Sequence, residues 1–145
     1  MTSTLTPHVS LPTPSVVERV RPAGRVGLTG LVAGIGAAAA NLAIVAVANR
    51  LDVAFEIKGE KIPLYAFGQV TLFAAIIGIA MAALFARRAR RPHHTFVATT
   101  VVLTTLSMVP PAIVDAAVAT KLMLGVTHAV AAAIIIPALA SRLAD

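Results

Sequence analysis

Residues 26–49 read VGLTGLVAGIGAAAANLAIVAVAN, an uncharged stretch bounded by Arg25 and Arg50. A helix needs about 20 apolar residues to cross a hydrocarbon core of ~30 Å, and this stretch is longer than that. At that depth no water can pair with the backbone, so an isolated span satisfies its amides and carbonyls only as a helix. The stretch therefore predicts a transmembrane helix.

The same pattern recurs downstream, at about 64–86, 95–118 and 122–140. The second run is uncharged, and the third carries Asp115 near its end. Four spans joined by short connections predict an all-α, up-down four-helix membrane bundle over residues 25–145.

Composition agrees. Of 145 residues, 58% are hydrophobic and 12% charged, against about 25% charged in soluble domains. The net charge of +6 sits at the ends of the apolar runs, where topology signals belong. Nucleic acid is not an expected partner, because no aromatics interleave with the charge for base stacking. The absence of Cys excludes disulfide, thiolate and Cys-ligated metal chemistry. Trp is also absent and Tyr65 is the single Tyr, so an aromatic belt at the interfaces is weak.

Residues 1–24 are polar and punctuated by Pro7, Pro12, Pro14 and Pro22. They predict a flexible tail, with a short surface helix around 15–21 as an option. Ala46-Val47-Ala48 resembles a small-x-small cleavage site. The preceding run exceeds the ~7–15 residues of a signal h-region, so an uncleaved span is expected.

Lys and Arg set the expected orientation. Arg19, Arg21, Arg25, Arg87, Arg88, Arg90, Arg91 and Arg142 fall on one side, and Arg50, Lys58, Lys61 and Lys121 on the other. The richer side is expected to be cytoplasmic, with both termini in the cytoplasm and the protein in the cell membrane. His93-His94 belong to the inner loop, where the basic run reads as a topology signal touching anionic lipid.

In the outer loop, Val53, Phe55 and Ile57 alternate with other residues before Lys58-Gly59-Glu60. That is strand periodicity followed by a turn signal. An isolated hairpin is marginal, so an irregular loop is the favoured expectation and a short hairpin the alternative. Gly30-x-x-x-Gly34 in the first run, and Ala74, Gly78 and Ala82 in the second, are small-residue stripes that let helices approach closely. Packing inside the bundle is the expected use, and a homodimer seam the other. Pro110-Pro111 removes the amides that would bond the carbonyls of Leu106 and Ser107, so a kink is expected in the third span.

Polar groups at membrane depth are costly and therefore informative. Asn41 shares a face with Gly30 and Gly34 at about 100° per residue, which points it into the bundle. Asn49 and Gln69 lie near the outer ends of their helices, Gln69 opposite Gly78. Thr104, Met108 and Pro111 form one stripe leading to Asp115. His128 lies about two turns into the fourth run, flanked on its own face by Gly125 and Ala132. The expectation is a small polar pocket near the outer face, lined by Asn41, Asn49, Gln69, Thr104 and Pro111, with Asp115 and His128 facing each other. A carboxylate beside an imidazole is an acid–base couple. The structural alternative has Asp115 capping a helix or pairing with Lys121, and His128 bonding Asp115 or a backbone carbonyl to hold the last two spans together. No cofactor motif, nucleophile motif or metal-ligand cluster is present.

The helical part resembles a family of small four-span bacterial membrane proteins without an assigned function. The resemblance rests on the Gly/Ala-rich first span ending Ala48-Asn49-Arg50, the charged outer loop, the stretch from Pro110-Pro111 to Asp115, and Leu124-Gly125-Val126-Thr127-His128-Ala129-Val130 running to Pro137. It implies a fold and a membrane address, not an activity. The leading functional expectation is a non-enzymatic accessory or interaction component, with membrane lipids and a homo-oligomer or larger membrane partner as its associates. The alternative is a membrane enzyme performing isomerase or cyclase chemistry on a lipophilic small molecule with Asp115 and His128 as catalytic residues. Transport ranks last, since no continuous polar path or inverted repeat is evident.

Overall fold

The computed structural model describes residues 21–53 and 55–144. The expected tail and its surface helix lie outside the described residues, apart from the last tail residues, which open the first helix. That helix, α1, runs Arg21–Arg50. Pro22 sits in its first turn, where a missing amide costs nothing. A two-stranded hairpin follows, β1 (Glu56–Ile57) and β2 (Glu60–Lys61), then α2 (Leu64–Arg88). Pro92 opens α3 (Pro92–Ser107), and the restriction it places on Arg91 ends the inner loop. A single turn, α4 (Val109–Ile113), and the long α5 (Val118–Ala140) complete the chain.

Among the described residues, four segments are long and apolar enough to cross a membrane: Gly24–Arg50, Leu64–Arg88, Pro92–Ile113 and Val118–Ala140. The protein is an all-α, multi-pass membrane protein. Leu28, Phe73 and Leu106 are 66%, 65% and 61% exposed on the outside of the bundle. Water would penalise that surface, whereas acyl chains accept it.

Helix α1 packs against α2 and α5, and α3 against the same two helices, with α2 touching α5 between them. The tightest approach is at Gly30 and Gly34. A Cβ on Gly30 would run into Ile79, and one on Gly34 would meet the Cβ of Ala75 at 2.6 Å. The small-residue face is thus occupied within the chain. One apolar cluster, with Phe96 and Leu139 fully buried among Val26, Ala82 and Ile135, seals the end of the bundle at the α2–α3 loop. A second, built on Val45, Ala48 and Phe55, seals the hairpin end.

Two expectations are corrected. The loop between α1 and α2 is a hairpin, not an irregular loop. Its two-residue turn, Lys58-Gly59, has φ of 53° and 79°, the positive pair that a twisted hairpin requires. Nor is the hairpin isolated. Phe55 is buried and meets Phe67 edge-to-face at 5.3 Å, and the Lys58 amide donates to the Asp115 carbonyl at 3.2 Å. The third span is interrupted at Met108, where the two missing amides open the hydrogen-bond ladder, but Met108 keeps a right-handed helical backbone and α4 carries the helix through Pro110-Pro111 to Ile113. It ends sooner than expected: Val114 is extended, so Asp115 lies in the 114–117 connection and not on a helix. The last span begins at Val118, before the turn expected at Ala119–Lys121.

Candidate functional site

Helix α2 leans on α1 through its small residues, and α3 leans on α5 near its broken end. Between α2, α3 and α5 this leaves an apolar cleft of about 490 Å³, within the ~300–1,000 Å³ range of small-molecule sites. Phe67, Ile77, Phe96, Leu124 and Ile135 give it an apolar wall. Val70, Ile77 and Leu103 line it and remain 63%, 45% and 49% exposed. The cleft therefore opens sideways between α2 and α3, at the depth of the hydrocarbon.

The polar groups on this wall are few and come from every span. Asn41, on α1, is 2% exposed. Its Nδ2 donates to Thr71 Oγ1 at 3.0 Å, and Thr71 Oγ1 donates on to the Phe67 carbonyl at 2.7 Å. Asn41 Oδ1 is buried with no hydrogen-bond partner. Thr100 Oγ1 on α3 donates to the Phe96 carbonyl at 2.7 Å, and Ser107 Oγ to that of Thr104 at 2.7 Å. On α5, Thr127 Oγ1 donates to the Leu124 carbonyl at 2.9 Å, and His128 Nδ1 lies 2.7 Å from the same oxygen. A buried acceptor left open at a cavity wall costs stability, and such costs concentrate at functional sites.

The sequence-derived candidates separate in space. Asn41, Thr104 and His128 line the cleft. Asn49 and Gln69 are exposed and Pro111 is buried, all away from its wall. Asp115 lines a different hollow of about 580 Å³ at the hairpin end of the bundle, between the hairpin and the 114–117 connection, with Glu56, Lys58 and Thr120. The expected facing pair of Asp115 and His128 is thus corrected: they belong to separate cavities. The third span ends at Ile113, and the extended backbone at Val114 takes Asp115 out of the stripe that leads through Thr104. Its carboxylate neither caps α5, whose N-cap is Ala117, nor pairs with Lys121 among the described residues. His128 bonds its own helix and so does not tie α5 to α3. The cleft also runs deeper than an outer-face pocket, reaching Met81 and Phe96.

A family model matches residues 21–145, the whole helical part. The chain belongs to DUF6069, a family of unknown function. No curated protein and no solved structure matches it. DUF6069 membership agrees with the four-span reading and assigns no activity, so the cleft must speak through its chemistry. Thr71, Thr100, Ser107 and Thr127 escaped the sequence reading. Two of them were within reach: Thr71 lies seven residues before Gly78, and Thr100 four before Thr104, spacings that share a helix face. Among the described residues, no group of three or more His, Asp or Glu could hold a metal ion.

Proposed function

We propose that this protein is a non-enzymatic component of the cell membrane that binds an apolar small molecule drawn from the bilayer, with both termini in the cytoplasm. Asn41 Oδ1 carries the reading: a buried acceptor without a hydrogen-bond partner, on a residue that lines a cleft of about 490 Å³. The lateral mouth supports a lipophilic occupant, because it opens toward acyl chains. With Asp115 and His128 in separate cavities, the acid–base alternative has no geometry behind it.

The test is extraction and mass spectrometry of lipophiles that copurify with the protein in detergent, for wild type and for Ala132→Leu. Ala132 is half-buried on the cleft wall, and leucine there fills the space. The expected result is a defined lipophile on wild type that the variant lacks. Finding the same detergent-like background on both would sink the proposal.

A further inference from the structure

The hydrogens on the cleft wall are almost all committed to the protein itself. Thr71, Thr100, Ser107 and Thr127 each donate their single hydroxyl hydrogen to a backbone carbonyl. Because the Thr71 hydrogen goes to the Phe67 carbonyl, Thr71 can only accept from Asn41. With that hydrogen on the Phe67 carbonyl, the amide nitrogen faces Thr71 and the amide oxygen points away from it. The Leu124 carbonyl likewise can only accept, so the hydrogen of the neutral His128 ring sits on Nδ1. Nε2, at the outer edge of the ring, is then a second acceptor with no hydrogen bond among the described residues. Thr104 is the one wall hydroxyl that makes no hydrogen bond among the described residues.

From this arrangement we infer that the cleft selects a lipophilic alcohol from the bilayer, an apolar body bearing a hydroxyl hydrogen, over apolar molecules that lack a donor. The inference rests on reading the cleft as a binding site. A hydroxyl donates to Asn41 Oδ1 or His128 Nε2, and its oxygen can accept from Thr104. An ether or ester can accept from Thr104 but leaves Asn41 Oδ1 as unpaired as before. An amine would carry charge to membrane depth, where ions are costly.

The experiment uses the full chain in detergent at mildly alkaline pH, titrated with n-decanol and with its methyl ether at matched mole fractions. Binding is read from the thermal shift and from the histidine nitrogen-15 spectrum, with His128→Phe assigning the His128 signals. Decanol is expected to bind at least about tenfold more tightly than the ether. Its single hydrogen pairs one acceptor: a moved His128 Nε2 resonance, with most of the preference lost in His128→Phe, marks donation to Nε2, and an unmoved resonance, with that loss in Asn41→Leu, marks donation to Asn41 Oδ1. Equal affinity for both ligands would overturn the inference while leaving a general lipophile site standing. Binding of neither would remove both readings. A preference that survives unchanged in both Asn41→Leu and His128→Phe would also overturn it, by placing the selectivity elsewhere. Should Asn41→Leu fail to fold, Asn41→Ala takes its place in the same comparison.

Discussion

The side-chain amide of Asn41 on α1 donates to the hydroxyl of Thr71 on α2 at 3.0 Å, with 2% and 5% of the two residues exposed. Hydrogen bonds between membrane helices average about 0.6 kcal/mol and reach about 1.7. Thr71→Val removes the acceptor and leaves both polar atoms of Asn41 unpaired. Its melting temperature in detergent is expected to fall by several degrees. Asn41→Leu removes the orphaned Oδ1 along with the bond, and Thr71 keeps its bond to Phe67, so this variant is expected to melt at or above wild type. The reverse order of melting temperatures would make Asn41 a structural clamp and weaken the case for the cleft.

Gly30 and Gly36 test how the small-residue face is used. A Cβ at Gly30 meets Ile79 and, at 2.8 Å, Leu139, whereas nothing lies within 4 Å of one at Gly36. Gly30→Ala is expected to cost about 1–3 kcal/mol from overpacking, and Gly36→Ala to cost nothing. Melting curves of the two variants in one detergent check this. If Gly36→Ala were instead the destabilising change, the exposed side of α1 would be the packed one.

How far the sequence speaks follows from which signals are local. Hydropathy over twenty-odd residues is local, and it located all four spans. Asn41 was legible because its face is shared with Gly30 and Gly34 on one unbroken helix. Asp115 was misplaced because its position was carried along a helical stripe past Ile113, where the third span ends and Val114 is extended. The cleft itself was out of reach. It is a gap between α2, α3 and α5, set by how closely the glycines of α1 draw α2 toward them, and no single stretch records it. The hairpin was underrated for a related reason: its support from Phe67 and from the Asp115 carbonyl comes from residues distant in sequence.

Asp115→Asn tests the corrected placement. Asp115 is exposed and makes no ion pair among the described residues, and its bond to Lys58 uses the backbone carbonyl, which the substitution keeps. The melting temperature is expected to change by no more than about 0.5 kcal/mol's worth of stability, and binding in the cleft not at all. A large loss of either would return Asp115 to the candidate site.

The hairpin turn gives a signed pair. Gly59 has φ of 79° and Lys58 φ of 53°. Gly59→Ala forces a side chain into the left-handed region and is expected to cost about 1 kcal/mol. Lys58→Asn places a residue that tolerates that region in the first turn position and is expected to be neutral or stabilising. Thermal melts read both. Equal, negligible shifts would show that the hairpin contributes little to the stability of the bundle.

Orientation can be read directly because the chain has no Cys. Glu60 lies in β2 of the hairpin and Ala89 in the basic loop between α2 and α3, so single cysteines there report opposite faces. The proposed topology puts four of the basic side chains, Arg87, Arg88, Arg90 and Arg91, beside Ala89 on the cytoplasmic side. A membrane-impermeant maleimide added to intact cells is expected to label Glu60→Cys, and to reach Ala89→Cys only after permeabilisation. Labelling of Ala89→Cys in intact cells would invert the protein. The Arg-rich loop would then need a partner other than the cytoplasmic leaflet, while the lateral mouth of the cleft, being set by α2 and α3 alone, would still open to the bilayer.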